Sequence, residues 1–262
     1  MGLFLGAKFC HSNRSYYLHH SLHANFIYQT KRFIKHIFFD LDHTLWDFEA
    51  NSIETLGEMY AHFEIDQKTT VNREYFINRY VYHNENLWDL YRQNKVTKAR
   101  LRDARFLLAL NDVGIEDKEM ARKMGDFYLD FCPRKTKLMD GTIELLEELK
   151  GNYHLHILSN GFHETQLIKL KESKLDSYFN EVITSERAQA KKPNYPIYDF
   201  ATKVTEAPKD GTLMIGDNLE IDVVGAINFG WDAIHFNPAG IEHEYQHVRS
   251  IPELLPLIVE RG

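Results

Sequence analysis

The chain has 262 residues and a mass of 30.8 kDa, room for one large domain or a domain carrying an insertion. Hydrophobic residues at 44% and aromatics at 13% suffice for a full core, while a net charge of −7 and the lack of any long Lys/Arg run exclude a basic surface for a nucleic-acid polymer. Cys10 and Cys132 form no CxxC pair, which excludes a disulfide scaffold and fits a reducing, cytoplasmic setting, and no run approaches the roughly 18 apolar residues that span a bilayer.

Residues 1–36 contain no acidic residue and carry scattered Lys8, Arg14, Lys31, Arg32 and Lys35. With little arginine, no amphipathic period and no central apolar block, they read as a poorly ordered leader or an extension from an upstream start codon rather than a targeting peptide. Next, Ile37-Phe38-Phe39 runs straight into Asp40-Leu41-Asp42-His43-Thr44. The apolar run predicts a buried parallel strand, with Asp40 and Asp42 at its carboxyl end, where open α/β sheets form their binding crevice. Carboxylates there are costly unless a cation, a proton or a reaction uses them.

Helical spacing then holds to about Lys137, with apolar residues recurring at three and four over 52–63, 75–92, 97–110 and 118–131. No strand signal interrupts this block. From about Met139 the pattern becomes strand, turn, helix, repeated. A helix over 143–149 leads to a strand at 155–158 that runs into Ser159-Asn160-Gly161. A helix at 164–172, a strand at 181–184, Lys192-Pro193 and a helix at 197–204 follow. A strand at 213–215 runs into Gly216-Asp217-Asn218, then come a helix at 223–229 and a strand at 233–236. This alternation predicts an α/β fold, a doubly wound, Rossmann-like parallel sheet, with an inserted α-helical bundle after the first strand. The expected division is a leader (1–36), a core (37–47 and 137–262) and a helical cap (48–136).

Three predicted strands thus end in polar clusters, Asp40/Asp42/Thr44, Ser159/Asn160/Gly161 and Asp217/Asn218, with Asp222 five residues beyond Asp217 and Lys192 in an intervening loop. Singly, each has a bland explanation: a turn former or helix cap for the aspartates and Ser159, a solvated loop lysine for Lys192. Their order, each at a strand end, is not explained that way. Asp40-Leu41-Asp42-His43-Thr44, Leu158-Ser159-Asn160-Gly161, Lys192-Pro193 and Gly216-Asp217-Asn218-Leu219-Glu220-Ile221-Asp222 resemble the four motifs of the haloacid-dehalogenase superfamily, in order and spacing, from Ile37 to the end. The adjacent Lys191 leaves two readings of the third motif, and the following proline favours Lys192.

The resemblance implies phosphoryl transfer with Mg²⁺ held by Asp40, the backbone carbonyl of Asp42 and Asp217. It makes Asp40 the nucleophile, Asp42 the acid and base, Thr44, Ser159, Asn160 and Lys192 the phosphate-binding groups, and Asp222 a support. Elementary chemistry agrees, since a phosphate dianion meeting these carboxylates needs a hard cation between them. Asp42 favours phosphoester over halide chemistry, because a departing alkoxide needs a proton and a halide does not. The cap segment Asn86-Leu87-Trp88-Asp89-Leu90-Tyr91, with Thr44-Leu45-Trp46-Asp47-Phe48, resembles the pyrimidine 5′-nucleotidase branch.

A small phosphate monoester is therefore the expected partner, for a monomer or homodimer with no membrane attachment. Trp46 or Phe48 would stack on a base and Arg105 would meet the substrate. The alternatives are core packing for the aromatics and a surface ion pair for Arg105. A sugar phosphate or acylneuraminate phosphate is the rival substrate. His243-Glu244-Tyr245-Gln246-His247 also matches the HExxH pattern, so a zinc peptidase is a remote alternative, although that motif needs a helix and this segment has little helical pattern. A phospho-aspartate receiver or a silent binding protein fits less well, since the acid pair and every motif residue are present.

Overall fold

In a computed structural model of the chain, which describes residues 33–262, the sequence alternates as expected. Strand β1 (His36–Phe39) is followed by four helices, α1 (Phe48–His62), α2 (Arg73–Arg92), α3 (Lys98–Asp112) and α4 (Lys118–Phe131). Then come α5 (Thr142–Leu149), β2 (His154–Ser159), α6 (His163–Glu172), β3 (Glu181–Thr184), α7 (Ser185–Ala188), α8 (Tyr195–Thr205) and β4 (Thr212–Gly216). A π-helical turn (Leu219–Val224), α9 (Gly225–Phe229), β5 (Asp232–Phe236), β6 (His247–Val248) and α10 (Leu254–Val259) complete the described chain.

All six strands pair in parallel, in the order β3-β2-β1-β4-β5-β6. The chain winds outward from β1 in one direction, returns to place β4 beside β1, and winds out the other way. The strand order therefore reverses between β1 and β4, which is where such sheets open a crevice at their carboxyl edge. Both faces are covered, so strand residues alternate between two apolar layers rather than between core and water. Ile37, Phe39, Leu155, Ile157, Leu213 and Ile215 pack with residues of α5, α6 and α10. Phe38, Leu158 and Met214 pack on the other face with residues of α8 and α9 and with Trp231.

The inserted helices start at side-chain caps. Asp47, Asn72, Thr97 and Asp117 each accept a hydrogen bond from the backbone N–H three residues on, supplying the partner that a helix start lacks. Inside, Tyr80 stacks on Phe106 with centroids 4.7 Å apart, and the Tyr128 hydroxyl donates to Ser52 Oγ at 2.8 Å. The chain enters and leaves this block through two segments that pair with each other. Asp47 N–H donates to Lys137 O at 3.1 Å, Met139 N–H donates to Leu45 O at 2.9 Å, and Trp46 bridges Leu138 in antiparallel fashion. The Asn51 side chain ties the exit down by bonding both the carbonyl and the N–H of Lys137.

Three boundaries differ from expectation. Ile34 is fully buried and its N–H donates to Arg261 O at 3.0 Å, so the folded part begins before residue 37. Residues 1–32 of the expected leader lie outside the described residues. Strand β6 has only two residues, too few to leave a periodic signal. The helix expected at 223–229 is preceded by the π-helical turn, in which Asn218 Oδ1 accepts from Ile221 N–H at 3.0 Å and Asp222 Oδ2 accepts from Asn218 N–H at 3.0 Å. Such turns concentrate at functional positions. Gly225 lies against Pro193, where an added Cβ would meet Pro193 Cβ at 2.7 Å and displace the Tyr198 hydroxyl from Ile221 O. Gly225→Ala should therefore cost about 1–3 kcal/mol in urea unfolding; a variant as stable as wild type would show that α8 and α9 do not pack this tightly.

Candidate active site

Asp40, Ser159 and Asp217 sit at strand ends, while Lys192 lies in the loop between α7 and α8 and Asp222 in the π-helical turn. Asp40 N–H donates to Ile215 O at 2.9 Å, extending the β1–β4 ladder by one residue. Leu41 is fully buried, and its carbonyl accepts from the N–H groups of Leu45 and Trp46, curling 41–46 into a tight loop. His43 takes a left-handed conformation (φ 61°) within that loop. Asp40, Asp42, Ser159, Asn160, Lys192 and Asp217 all line one cavity of about 490 Å³, together with Asp222 and residues of α1 and α2.

Lys192 is 1% exposed, and its ammonium sits 2.6 Å from Asp40 Oδ1 and 2.7 Å from Asp222 Oδ1 while donating to Leu158 O at 2.5 Å. Asn160 fixes the lysine's backbone: its Oδ1 accepts from Lys192 N–H at 2.8 Å and its Nδ2 donates to Lys192 O at 3.0 Å. Lys191 points elsewhere, donating to Tyr91 O and Asn94 Oδ1, both at 2.7 Å. Gly216 ends β4 because a Cβ there would lie 2.6 Å from the Cβ of Asp222.

Charge on this edge is unbalanced. Burial pushes the Asp40 carboxyl well above the usual aspartate range; Lys192 opposes that shift, while Asp222, Asp217 and Asp42 add to it. Asp217 is pushed up to about 7, first by loss of water and then by Asp222. Burial disfavours the Lys192 ammonium, yet Asp222 and Asp40 hold its pKa above that of a free lysine. Carboxylates in excess over ammonium, all oxygen donors, are what a hard divalent cation takes. Among the described residues no three His, Cys, Asp or Glu side chains converge as a complete ligand set. Asp40 and Asp217 could therefore hold such a cation with backbone, phosphate or water oxygens completing its shell.

The profile of the family described as haloacid dehalogenase-like hydrolase matches residues 37–236. This chain belongs to that family. Pyrimidine 5′-nucleotidase PynA of Streptococcus pneumoniae is 32% identical over 217 residues, spanning 82% of this chain and 88% of that one. Pyrimidine 5′-nucleotidase YjjG of Escherichia coli is 30% identical over 229 residues, spanning 85% and 96%. Among solved structures, the magnesium-bound HAD-hydrolase YfnB of Bacillus subtilis matches with a TM-score of 0.78 at 25% identity, covering 87% of this chain and 99% of that one.

Two members of this haloacid dehalogenase-like site carry no sequence motif. Gln166 and Lys169, three apart on α6, both hold Asp42: Lys169 Nζ lies 2.5 Å from Oδ1 and Gln166 Nε2 2.9 Å from Oδ2. Gln166 Nε2 also reaches Ser159 Oγ at 2.7 Å, and a Cβ on Gly161 would collide with the Gln166 side chain. Burial works against the Asp42 carboxylate, but Lys169 and Gln166 keep its pKa below the usual aspartate range. Their spacing on the helix that follows Ser159-Asn160-Gly161 was the available signal.

Of the other expected residues, Phe48 alone lines the cavity. Thr44 is fully buried and donates to Asp217 Oδ1 at 3.1 Å. Trp46 does not line the cavity; it is fully buried, donates to Lys135 O at 3.1 Å and lies under the Lys169 ammonium, 4.4 Å from its ring centre. Phe48 does line it, beside His43. Arg105 neither lines the cavity nor forms a surface ion pair, because position 105 falls on the buried stripe of α3 with Leu101, Ala104 and Phe106. The HExxH match fails on geometry. Residues 241–246 are irregular, His247 opens β6, and the His243 ring is bonded to His235 at 2.7 Å. No helix presents the two histidines on one face, so the zinc-peptidase reading is overturned.

Lys192→Met would leave the Asp40 and Asp222 carboxylates buried without their counter-charge. Loss of about 3–5 kcal/mol in urea unfolding at pH 7 is expected, with a smaller loss at acid pH, where protonated carboxyls need no ammonium. Undiminished stability at pH 7 would refute the pairing.

Proposed function

We propose that this chain hydrolyses phosphate monoesters through an aspartyl-phosphate on Asp40, with pyrimidine nucleoside 5′-monophosphates as its substrates. The observation that carries the reading is the Asp40 carboxylate on the cavity, one oxygen pinned by Lys192, with a second acid two residues on at the same strand end. Membership of the hydrolase family and the likeness to two pyrimidine 5′-nucleotidases support it. Helices α1–α4 act as a cap (48–136) over a core of 37–47 and 137–262, so that substrate is held between the sheet edge and α1 and α2. Among the described residues no helix is long and apolar enough to cross a membrane, and a cytoplasmic small-molecule enzyme fits the reading.

Asp40 and Asp217, with the backbone carbonyl of Asp42, would hold Mg²⁺. When bound, Mg²⁺ supplies the positive charge that lets a phosphate dianion approach these carboxylates. The remaining steps belong to the protein. Lys192 holds Asp40 Oδ1 and so leaves the other oxygen to attack phosphorus. The ester P–O bond breaks, and the departing alkoxide takes the proton of Asp42. In the second half, Asp42 removes a proton from water, the resulting hydroxide attacks phosphorus, and the bond to Asp40 breaks, releasing inorganic phosphate.

Asp42 as seen, ionised between Lys169 and Gln166, has the form that the second half requires. The arriving phosphate dianion raises its proton affinity for the first half. Ser159 and Lys192 would hold the phosphoryl oxygens, Asn160 keeps Lys192 in register, and Thr44 acts through Asp217. Asp222 supports Lys192.

p-Nitrophenyl phosphate separates the two halves, since its leaving group departs without a proton. Asp40→Asn should abolish turnover. Asp42→Asn should release one equivalent of nitrophenolate rapidly and then turn over slower by roughly 10²–10⁴-fold. Steady wild-type turnover in either variant would reject these roles.

A further inference from the structure

Behind the cavity wall lies a cation for which the mechanism has no use. Arg105 is 4% exposed, and among the described residues no carboxylate pairs with it. Its guanidinium packs 4.7 Å from the ring centre of Tyr128 and 5.3 Å from that of Phe106, and Nε has no hydrogen-bond partner. Its Nη1 donates a hydrogen bond to Asn84 Oδ1 at 3.3 Å. Burying a guanidinium this way is costly, so what it fixes matters.

A guanidinium carries donors only, so the Asn84 atom facing it is the acceptor Oδ1. The Asn84 amide cannot turn over without setting donor against donor. Its Nδ2 is therefore directed away from Arg105 and finds no acceptor among the described residues, although Asn84 is only 6% exposed and lines the cavity. Along α2 it shares that wall with Tyr80, Val81 and Trp88, and with the polar Asn78, Glu85 and Arg92. A donor fixed in direction and open to the cavity, beside two aromatic rings, is suited to a flat ring bearing an acceptor.

We propose that Asn84, oriented by the buried Arg105, donates a hydrogen bond to a ring carbonyl of the substrate and so sets a preference for pyrimidine nucleotides over sugar phosphates. The inference rests on the nucleotidase reading above and names the group that would enforce it. Uracil, thymine and cytosine all carry a carbonyl at C2, and ribose 5-phosphate has no ring carbonyl. Asn84 contacts substrate in this account, and Arg105 is a positioning residue that acts through it.

The test is the ratio of kcat/KM for UMP to that for ribose 5-phosphate, in the full chain. Asn84→Asp keeps an oxygen for Arg105 but turns an acceptor into the cavity, and the ratio should fall roughly tenfold or more. Arg105→Lys, which keeps a donor to Oδ1, should preserve most of the ratio. The double variant Asn84→Leu/Arg105→Met removes donor and cation together, guards against misfolding of the single variant, and should lose the ratio as well. A wild-type preference for UMP that survives in Asn84→Asp or in the double variant overturns this inference and leaves the nucleotidase reading intact. A wild type with no preference for UMP overturns both.

Discussion

The Lys192 ammonium, closed off from water between Asp40 and Asp222, is the constraint on which the geometry of the candidate site depends. Such a pair earns little net stability over a well-packed apolar substitute, because desolvation consumes much of the attraction. What it supplies is orientation: one Asp40 oxygen is pinned and the other is left to the cavity. The surrounding sequence serves that arrangement. Asn160 grips the lysine's backbone, Gly216 makes room for Asp222, and Asn218 N–H holds the second Asp222 oxygen.

The sheet delivers these groups to one place at little cost. Asp40 and Asp217 follow β1 and β4, the two neighbours between which the winding reverses, so residues 177 positions apart in sequence become adjacent by strand pairing alone. Ser159 ends β2 on the other side of β1. The inserted helices enter and leave through paired segments beside Trp46 and Leu138, which brings α1 and α2 over the same edge. Parallel order, not local chemistry, makes the cavity.

Much of this was legible in the sequence because strand ends are marked twice, by an apolar run and by the polar residues that stop it. The fold class and the helical insertion follow from that punctuation, and the family resemblance from the motifs that stand at it. What was not legible depends on which way a side chain faces. Gln166 and Lys169 look like ordinary helix-surface residues, yet they hold Asp42. Arg105 and Trp46 look suited to a ligand, yet one sits on the inner stripe of α3 and the other under Lys169. The HExxH match shows the reverse failure, where letters agree with a motif and the backbone does not supply the helix it needs. The two-residue β6 and the π-helical turn are too short to impose a period.

The carboxylates on this edge outnumber their ammonium partner, and the proposed function requires them to take a hard cation. Because burial and Asp222 push Asp217 up to about 7, well above an unfolded aspartate at about 3.9, this group binds more protons in the folded state between those values, and its contribution to the stability of the cation-free protein falls as pH rises through them. Thermal unfolding with and without MgCl₂ tests this without any substrate. The account predicts that Mg²⁺ raises Tm, that the rise is larger at pH 8 than at pH 5, and that Asp217→Asn removes it. A Tm indifferent to Mg²⁺ at pH 8, or an equal rise in Asp217→Asn, would contradict it.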